Sequence, residues 1–254
     1  MKDNLLIDIG NSNIKLALSK DETSIQKKKA YRYDKRKFKD EFSKVFRSYS
    51  SMYLKPGTIA NTGISVTNPL LKKELEEKFK KSNAVFIDNK TSPYVRIKYK
   101  SRLGNDRVSS INAAYHLYNK KQILVIDLGT ATTLNLIING EFIGGSIAPG
   151  IEIGLEGLMT NTPLPKPGTK FKQGLIFDST KESIAGGTVQ QTIFFIEGAA
   201  RKLREKYKEL YVIGTGGYSD YISHHTECFD ITDKDLVMKG INVILNHHSL
   251  QKII

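Results

Sequence analysis

The feature that most constrains this chain is a segment it contains twice. Leu5 to Leu18 reads LLIDIGNSNIKLAL, and Leu124 to Ile137 reads LVIDLGTATTLNLI. The copies align without a gap at an offset of 119 residues (Asp127 against Asp8), with identities at Leu5/Leu124, Ile7/Ile126, Asp8/Asp127 and Gly10/Gly129. Such a period is far too long for a solenoid, so the repeated unit is a whole domain. The expected halves are 1–119 and 120–254. In each copy a short apolar run (Leu5–Ile7, Ile123–Ile126) reads as a strand buried on both faces. An Asp closes the strand, a glycine with small polar residues follows, and a second strand leaves the turn. In the first copy that strand alternates, with Ile14, Leu16 and Leu18 on one face and Lys15 and Ala17 on the other.

Helical periods lie between the strands. Phe38, Phe42, Val45 and Phe46 form one stripe, Leu70, Leu71, Leu75 and Phe79 a second, and Val108, Ile111, Tyr115 and Tyr118 a third on a helix beginning near Asp106. Phe194 and Phe195 fit a helix over about 181–206, as core or subunit contact. Asn139-Gly140 marks a hairpin turn into Phe142 and Ile143. Pro163 to Gly168, with three prolines, reads as a surface loop. Strands mixed with helices in two related halves predict a two-domain α/β protein with a cleft between the domains.

The repeated turn suits phosphate. A glycine at a strand end lets backbone N–H groups approach a ligand, because no Cβ intervenes. Asn11, Ser12 and Asn13 in the first copy, and Thr130, Thr132 and Thr133 in the second, add hydrogen-bond donors. Asp8 and Asp127 are hard-oxygen ligands of the kind that take Mg²⁺ or K⁺. A third turn, Gly214-Thr215-Gly216-Gly217, follows apolar Tyr211–Ile213 and can accept a nucleoside. One such turn alone is an ordinary hairpin; two aligned copies and the later TGG turn point to a polyphosphate. The chain has no GxxxxGK[ST] loop and no protein-kinase HRD or DFG set.

Four strings then occur in order: Asp8-Ile9-Gly10-Asn11-Ser12, Gly104-Asn105-Asp106-Arg107, Asp127-Leu128-Gly129-Thr130-Ala131-Thr132-Thr133 and Gly144-Gly145-Ser146-Ile147-Ala148-Pro149-Gly150. In order and approximate spacing they resemble type III pantothenate kinase, from Asp8 to Gly217. The resemblance implies two duplicated actin-like, ribonuclease H-like domains, as in the acetate and sugar kinase, Hsp70 and actin superfamily. It implies transfer of the γ-phosphoryl of ATP to the primary hydroxyl of pantothenate, the first step of coenzyme A synthesis. Mg²⁺ and a monovalent cation, K⁺ or NH₄⁺, are the implied cofactors, and a homodimer with its pocket near the subunit interface the implied assembly. By motif position Asp8, Ile9, Gly10, Asn11, Ser12, Asn13, Ile14 and Lys15 hold the ATP phosphates, and Thr130 adds a nucleotide contact. Asp127 ligates K⁺, and Asp8 is the candidate for Mg²⁺. Asp106 matches the general base, and Tyr99, Gly104, Asn105, Asp106, Arg107 and Thr180 the pantothenate contacts. Ser12 stands where the family usually has Thr and keeps the hydroxyl.

The chemistry of Gly104–Arg107 agrees with these roles. A carboxylate at a helix start is favoured in its ionised form by the dipole, and the loose transition state of phosphoryl transfer asks more for position than for basicity. Arg107 can offer a bidentate fork to a carboxylate. Taken alone, the same tetrapeptide also reads as a helix N-cap with Asn105 or Asp106 followed by a surface arginine.

The remaining features exclude more than they add. The net charge of +13 invites nucleic acid, but the lysines are distributed over Lys27–Lys29, Lys35–Lys39 and Lys72–Lys81. In the last of these Glu74, Glu76 and Glu77 interleave, as on a solvated helix face, and no nucleic-acid motif accompanies them. A single cysteine, Cys228, allows no intrachain disulfide, and no apolar run is long enough for a signal core or a membrane span. The expectation is a cytoplasmic protein with no membrane and no nucleic-acid partner. His224-His225 and His247-His248 lack further ligands at metal spacing, and Cys228 has no motif of a nucleophile. The competing functions are kinase action on another small hydroxylated substrate and a non-enzymatic nucleotide-binding accessory to transcription.

Overall fold

The computed structural model describes residues 2–167 and 174–251. The chain divides into two compact units. Unit 1 comprises Met1–Asn119, Asn139–Ile143 and Asp235–Ile254; unit 2 comprises Lys120–Ile138 and Gly144–Lys234. Relative to halves cut at Asn119, the 139–143 hairpin and the last helix lie with the first unit.

Unit 1 is built on β1 (Asp3–Ile9), β2 (Asn13–Ser19) and β3 (Gln26–Arg32), followed by α1 (Phe38–Tyr53), β4 (Ile59–Val66), α2 (Pro69–Phe79) and β5 (Ala84–Phe86). The short β6 (Arg96–Ile97) and α3 (Asn105–Tyr118) follow. The sheet order is β3-β2-β1-β4-β5, with β1–β2 and β2–β3 antiparallel and β1–β4 and β4–β5 parallel. Unit 2 contains β7 (Gln122–Leu128), β8 (Ala131–Ile138) and most of β9 (Glu141–Pro149). These lead to α4 (Ile151–Asn161), α5 (Thr180–Lys206), β10 (Tyr211–Thr215), α6 (Ser219–Ser223) and β11 (Ile231–Thr232). Its order is β11-β10-β7-β8-β9, with β7–β8 antiparallel and β7–β10 and β10–β11 parallel. Strand for strand, β7 to β11 repeat the arrangement of β1 to β5, so the duplicated segment belongs to a duplicated sheet. Inside unit 1, β6 pairs with the start of β9 (Arg96↔Glu141, Ile97↔Phe142).

The local reasons follow from sequence. Leu5–Ile9 and Ile123–Ile126 are buried throughout, as a central strand covered on both faces requires. In β2, Ala17 and Ser19 are buried as well as Ile14, Leu16 and Leu18, so the expected alternation holds only at its first turn-proximal residues, Asn13 and Lys15. Asn139 (φ 50°) and Gly140 (φ 75°) make the hairpin between β8 and β9; two consecutive positive φ values are the geometry of a type I′ turn. On α1, Phe38, Phe42 and Phe46 stack along one face at centroid spacings of 5.4 and 5.7 Å, and Phe79 of α2 meets Phe46 edge-on at 5.5 Å. Leu70 leaves its predicted stripe: it is 81% exposed. It occupies the first turn of α2, where its N–H is held by the Asn68 cap at 3.0 Å, and the stripe is Leu71, Leu75 and Phe79, spaced four residues apart. The lysines Lys27–Lys29 are exposed on β3, the edge strand of its sheet, where charge discourages pairing with another chain.

α3 is not the one-striped helix that its sequence suggests. Asn105 and every residue from Arg107 to Ala114 are buried, whereas Tyr115 and Tyr118 are half-buried. The reason is α7 (Leu236–Gln251), which packs along it. A Cβ on Gly240 would overlap the Ser109 backbone, and one on Gly63 of β4 would overlap the Ile241 side chain, so two glycines permit the approach. Asn242, fully buried on α7, accepts from Asn4 at 2.9 Å. It also donates to Ser19 Oγ at 3.1 Å and to the Asp21 carbonyl at 2.6 Å. A buried amide with all its partners present is tolerated, and removal of the partners is costly.

The α5 helix runs Thr180–Lys206, one residue longer at its start than the spacing predicts, and buries Val189, Ile193, Ile196 and Ala200 against β7, β8 and β10 residues such as Leu124, Leu134 and Val212. Phe195 packs on this core and Phe194 is 55% exposed. Residues 163–167 carry no regular structure; Gly168, which closed the proline-rich loop, lies outside the described residues. No described helix is long and apolar enough to cross a membrane.

Candidate active site

In unit 1 the β1–β2 turn carries Asp8 to Lys15. Asp8 is buried at the end of β1, its Oδ2 accepting from Lys15 Nζ at 3.3 Å and its Oδ1 from Ser65 Oγ at 3.1 Å. Gly10 N–H closes the turn on the Asn13 carbonyl at 3.0 Å. Ile9 and Ile14 are core residues that fix the turn from below; the Ile9 carbonyl accepts from Thr67 N–H at 3.0 Å. Asn11 is exposed, and Ser12 and Asn13 are half-buried.

The Gly104–Arg107 segment begins α3 in the same unit. Gly104 is the N-cap, so neither Asn105 nor Asp106 takes that role. Asn105 is buried and donates to the Val66 carbonyl at 2.9 Å, tying the helix start to the end of β4. Asp106 is half-buried, and its Oδ1 accepts from Arg107 N–H at 2.9 Å. Burial, and after it the charge of Asp8, push the Asp106 carboxyl above the ordinary carboxylate range; the Arg107 N–H and the charges of Arg107 and Lys15 oppose this more weakly. The helix dipole was expected to favour ionisation, but desolvation and a like charge outweigh it here. A Cβ on Gly104 would stand 2.6 Å from Asp106 Oδ1, so only glycine leaves that carboxylate in place.

Arg107 is buried rather than a surface arginine. Its guanidinium carbon lies 5.8 Å from the Tyr99 ring centroid and 5.5 Å from that of Phe142, and the two rings meet edge-to-face at 5.6 Å. Two π faces hold a cation in place without neutralising it. Tyr99, 38% exposed, is therefore brought together with Arg107. Phe142 is a residue that sequence reasoning used only as a strand position. The available signal was its place directly after the Asn139-Gly140 turn, which puts it opposite Ile97, two residues before Tyr99.

Unit 2 holds the second turn. Asp127 sits at the end of β7, in register with Thr215 of β10. A Cβ on Gly129 would lie 3.3 Å from Asp127 Oδ1, and one on Gly216 (φ 97°) would overlap that oxygen and the Leu128 backbone. Gly150 N–H donates to the Thr130 carbonyl at 3.1 Å, and a Cβ there would overlap the carbonyls of Gly129 and Thr130. The end of the GGSIAPG string thus seats α4 on the DLGTATT turn. Thr130 is exposed. Thr215 Oγ1 is buried and has no hydrogen-bond partner among the described residues. Asp127 and Thr215, in register on neighbouring strands, supply a carboxylate and an unsatisfied hydroxyl, hard-oxygen donors of the kind that could hold a monovalent cation. Asp8, a single carboxylate beside the Gly10 turn, is of the kind that could hold Mg²⁺, which takes one or two carboxylates and completes its shell with phosphates and water. Thr180 is the exposed first residue of α5, which Ser179 caps by accepting from Glu182 N–H at 3.4 Å.

The histidines do structural work. His116 stacks on Tyr94 at 4.1 Å, His247 meets Tyr94 edge-on at 5.5 Å, and His224 contacts the Asp220 carbonyl. No group of three metal-binding side chains occurs among the described residues. Cys228 is buried, and burial raises its thiol pKa, which leaves it unreactive.

Known proteins place the chain in one family. A family model described as type III pantothenate kinase matches residues 4–202. A type III pantothenate kinase of Finegoldia magna is 34% identical over 253 residues, covering 94% of this chain and 95% of that protein. One of Brevibacillus brevis is 30% identical over 249 residues, covering 94% and 97%. Among solved structures, a conserved putative Baf family transcriptional activator from Campylobacter jejuni superposes with a TM-score of 0.66 at 21% identity, over 97% of this chain and 99% of that one. A ROK family glucokinase from Streptomyces griseus does so at 0.58 and 10% identity, covering 96% and 99%. At such identities the structures establish the fold alone, the actin-like fold that the doubled sheet already describes. With a family model covering most of the chain and curated relatives matching almost end to end, this chain belongs to the type III pantothenate kinase family.

Proposed function

We propose that the chain phosphorylates pantothenate with ATP through the groups just described, Asp106 acting as general base. The observation that carries this reading is that consecutive residues at the end of β4 hold both groups: Ser65 donates to Asp8 at 3.1 Å and the Val66 carbonyl accepts from Asn105 at 2.9 Å, so the start of α3 with Asp106 is tied beside the first turn. In the reaction the primary hydroxyl oxygen attacks the γ-phosphorus, the bond from that phosphorus to the β,γ-bridging oxygen breaks, and ADP leaves. The hydroxyl proton passes to the Asp106 carboxylate. Its raised pKa makes it a better acceptor than an ordinary aspartate.

The residues of the Asp8–Lys15 turn hold the phosphates: backbone N–H groups and the Asn11, Ser12 and Asn13 side chains donate, and Lys15 exchanges its Asp8 contact for a phosphate oxygen. Thr130 contributes a further nucleotide contact. Arg107, held between Tyr99 and Phe142, takes the pantothenate carboxylate, and Asn105 positions the helix start. Asp8 would hold Mg²⁺, and Asp127 with Thr215 would hold K⁺ or NH₄⁺. When bound, these cations neutralise phosphate charge as it moves from the γ-phosphoryl group to ADP. We assign Thr180 to pantothenate on motif position alone. Exposed Ile147, Ile153, Leu158 and Phe194 of unit 2 support a homodimer, since large apolar side chains left outside mark association surfaces. The family's metabolic role supports a cytoplasmic location.

The test is ADP release from ATP and Mg²⁺, with and without pantothenate, in K⁺ and then in Na⁺ buffer. Pantothenate-dependent release that requires K⁺ is expected. Release independent of pantothenate would transfer the activity to another acceptor, and equal rates in both salts would remove the cation from Asp127. Light scattering should give twice the 28.5 kDa chain mass.

A further inference from the structure

The β2–β3 ladder brings the end of β3 back to the first phosphate turn, with Asn13 opposite Arg32 and Ile14 opposite Tyr31. Tyr33 and Lys35, just beyond the strand, reach back to the turn. Tyr33 N–H donates to the Ser12 carbonyl at 3.4 Å, and the Tyr33 hydroxyl donates to the Gly10 carbonyl at 2.8 Å. Lys35 Nζ donates to Asn11 Oδ1 at 3.1 Å. Three consecutive residues of the turn are thus held from one short segment outside it. We propose that Tyr33 and Lys35 brace the first phosphate turn: Tyr33 is a positioning residue for its backbone donors, and Lys35 supplies a further cationic contact for the polyphosphate. The inference rests on the ATP-binding reading of Asp8–Lys15.

The physics of the peptide makes the Tyr33 contact directional. In a trans peptide the C=O and N–H point to opposite sides. Fixing the Gly10 carbonyl toward Tyr33 therefore turns the Asn11 N–H away from it, and the Ser12 carbonyl bond does the same for the Asn13 N–H. A donor set aimed before the ligand arrives avoids the cost of ordering it on binding. The brace is itself held. The Tyr33 ring meets buried Phe38 edge-on at 5.6 Å. Asp34 caps the 3-10 turn Lys35–Lys37, its Oδ1 accepting from Arg36 N–H at 2.9 Å, while its own N–H donates to Glu41 Oε2 at 2.8 Å. Burial, then the Asp8 charge, raise the phenol pKa, so the hydroxyl remains a donor throughout the working pH range. An ammonium has three N–H donors and Asn11 takes one, and Lys35 is exposed at the turn, where an arriving phosphate can share it.

The experiment measures ATP binding by calorimetry and both KM values for Tyr33→Phe, Lys35→Ala and Lys35→Arg. Tyr33→Phe keeps the ring against Phe38 and should raise Kd and KM for ATP about five- to tenfold, with KM for pantothenate unchanged. Lys35→Ala should raise KM for ATP about threefold or more and flatten the salt dependence of kcat/KM, and Lys35→Arg should restore both. Unaltered ATP binding in Tyr33→Phe and Lys35→Ala overturns the brace, as does an equal rise in both KM values. Lys35 is exposed, so its variants remain decisive should Tyr33→Phe fold poorly. If the unsubstituted protein binds no ATP, the kinase reading falls and takes the brace with it; binding by the parent with silent variants removes the brace alone.

Discussion

Replacing Phe142 with Leu should weaken pantothenate binding without touching ATP. The ring is buried, and its centroid is 5.5 Å from the Arg107 guanidinium carbon, with Tyr99 on a second side at 5.8 Å. A desolvated cation–π contact contributes about 1–2 kcal/mol, at the upper end when the cation is buried. Leucine fills much of the volume but offers no π face, so Arg107 keeps one aromatic partner of two. A loss of about 1 kcal/mol in its placement corresponds to roughly a fivefold rise in KM for pantothenate, since about 1.4 kcal/mol is tenfold. Arg107→Lys, which removes the planar fork as well, should cost about tenfold or more. The assay is coupled ADP release with pantothenate varied at saturating ATP and then the reverse, with a melting curve for each variant. The reasoning is refuted if Phe142→Leu leaves KM for pantothenate unchanged, or raises KM for ATP by the same factor.

Asp106→Asn should lower kcat by about a hundredfold or more while leaving ATP affinity largely intact, as measured by turnover and calorimetry. The same change should raise the melting temperature at neutral pH. A carboxyl whose folded pKa lies above its unfolded value makes the folded state bind the extra proton, so its ionisation opposes folding at high pH and the penalty fades as pH falls through the folded pKa; thermal scans at several pH values check the sign. For the same reason the acid limb of kcat/KM should lie above the ordinary aspartate range, and a rate constant down to that range would contradict it. Gly150→Ala should destabilise the protein by about 1–3 kcal/mol in urea, because the new Cβ overlaps two carbonyls. Asn242→Ala should cost about 1–2 kcal/mol by the same assay: it removes the amide's bonds to Asn4, Ser19 and the Asp21 carbonyl, while Ser19 still donates to that carbonyl and Asn4 to Asn246.

The doubled sheet was legible because the constraint is local and repeats: an apolar strand, an acidic residue at its end and a glycine turn are needed wherever this sheet is built. The two glycine turns were legible for the same reason, being runs of small residues with one conformational demand. The partners across space were harder to see. α7 has the composition of a buried helix, with Leu236, Met238, Ile241 and Ile244 all covered, but hydrophobicity does not say against what. Gly240 and Asn242 carried that information and are mute until α3 is beside them. The sequence of α3 misled in the opposite direction, since Arg107, Ser109, Ser110 and Asn112 look solvent-facing and are buried. Arg107 is covered by the Tyr99 and Phe142 rings, and the other three find local acceptors: Ser109 on the Asn105 carbonyl, Ser110 on the Arg107 carbonyl and Asn112 on the Val108 carbonyl, bonds that any helix can make and no pattern announces. Phe142 and Tyr33 share one difficulty: each acts through a neighbour that only strand pairing supplies.

The return of α7 to the first unit has a consequence for how the chain is born. Asn4 is made well before its amide partners, Asn242 and Asn246, which stand 238 and 242 positions later. Synthesis at about 5–20 residues per second imposes a wait of some tens of seconds between them. During that interval α3 and β4 leave exposed the apolar surface that α7 will cover, so the nascent first unit is a natural client for a holding chaperone. Truncations that remove α7 should then be as damaging to β4 and α3 as to α7 itself, since the first unit completes its core only when that helix docks.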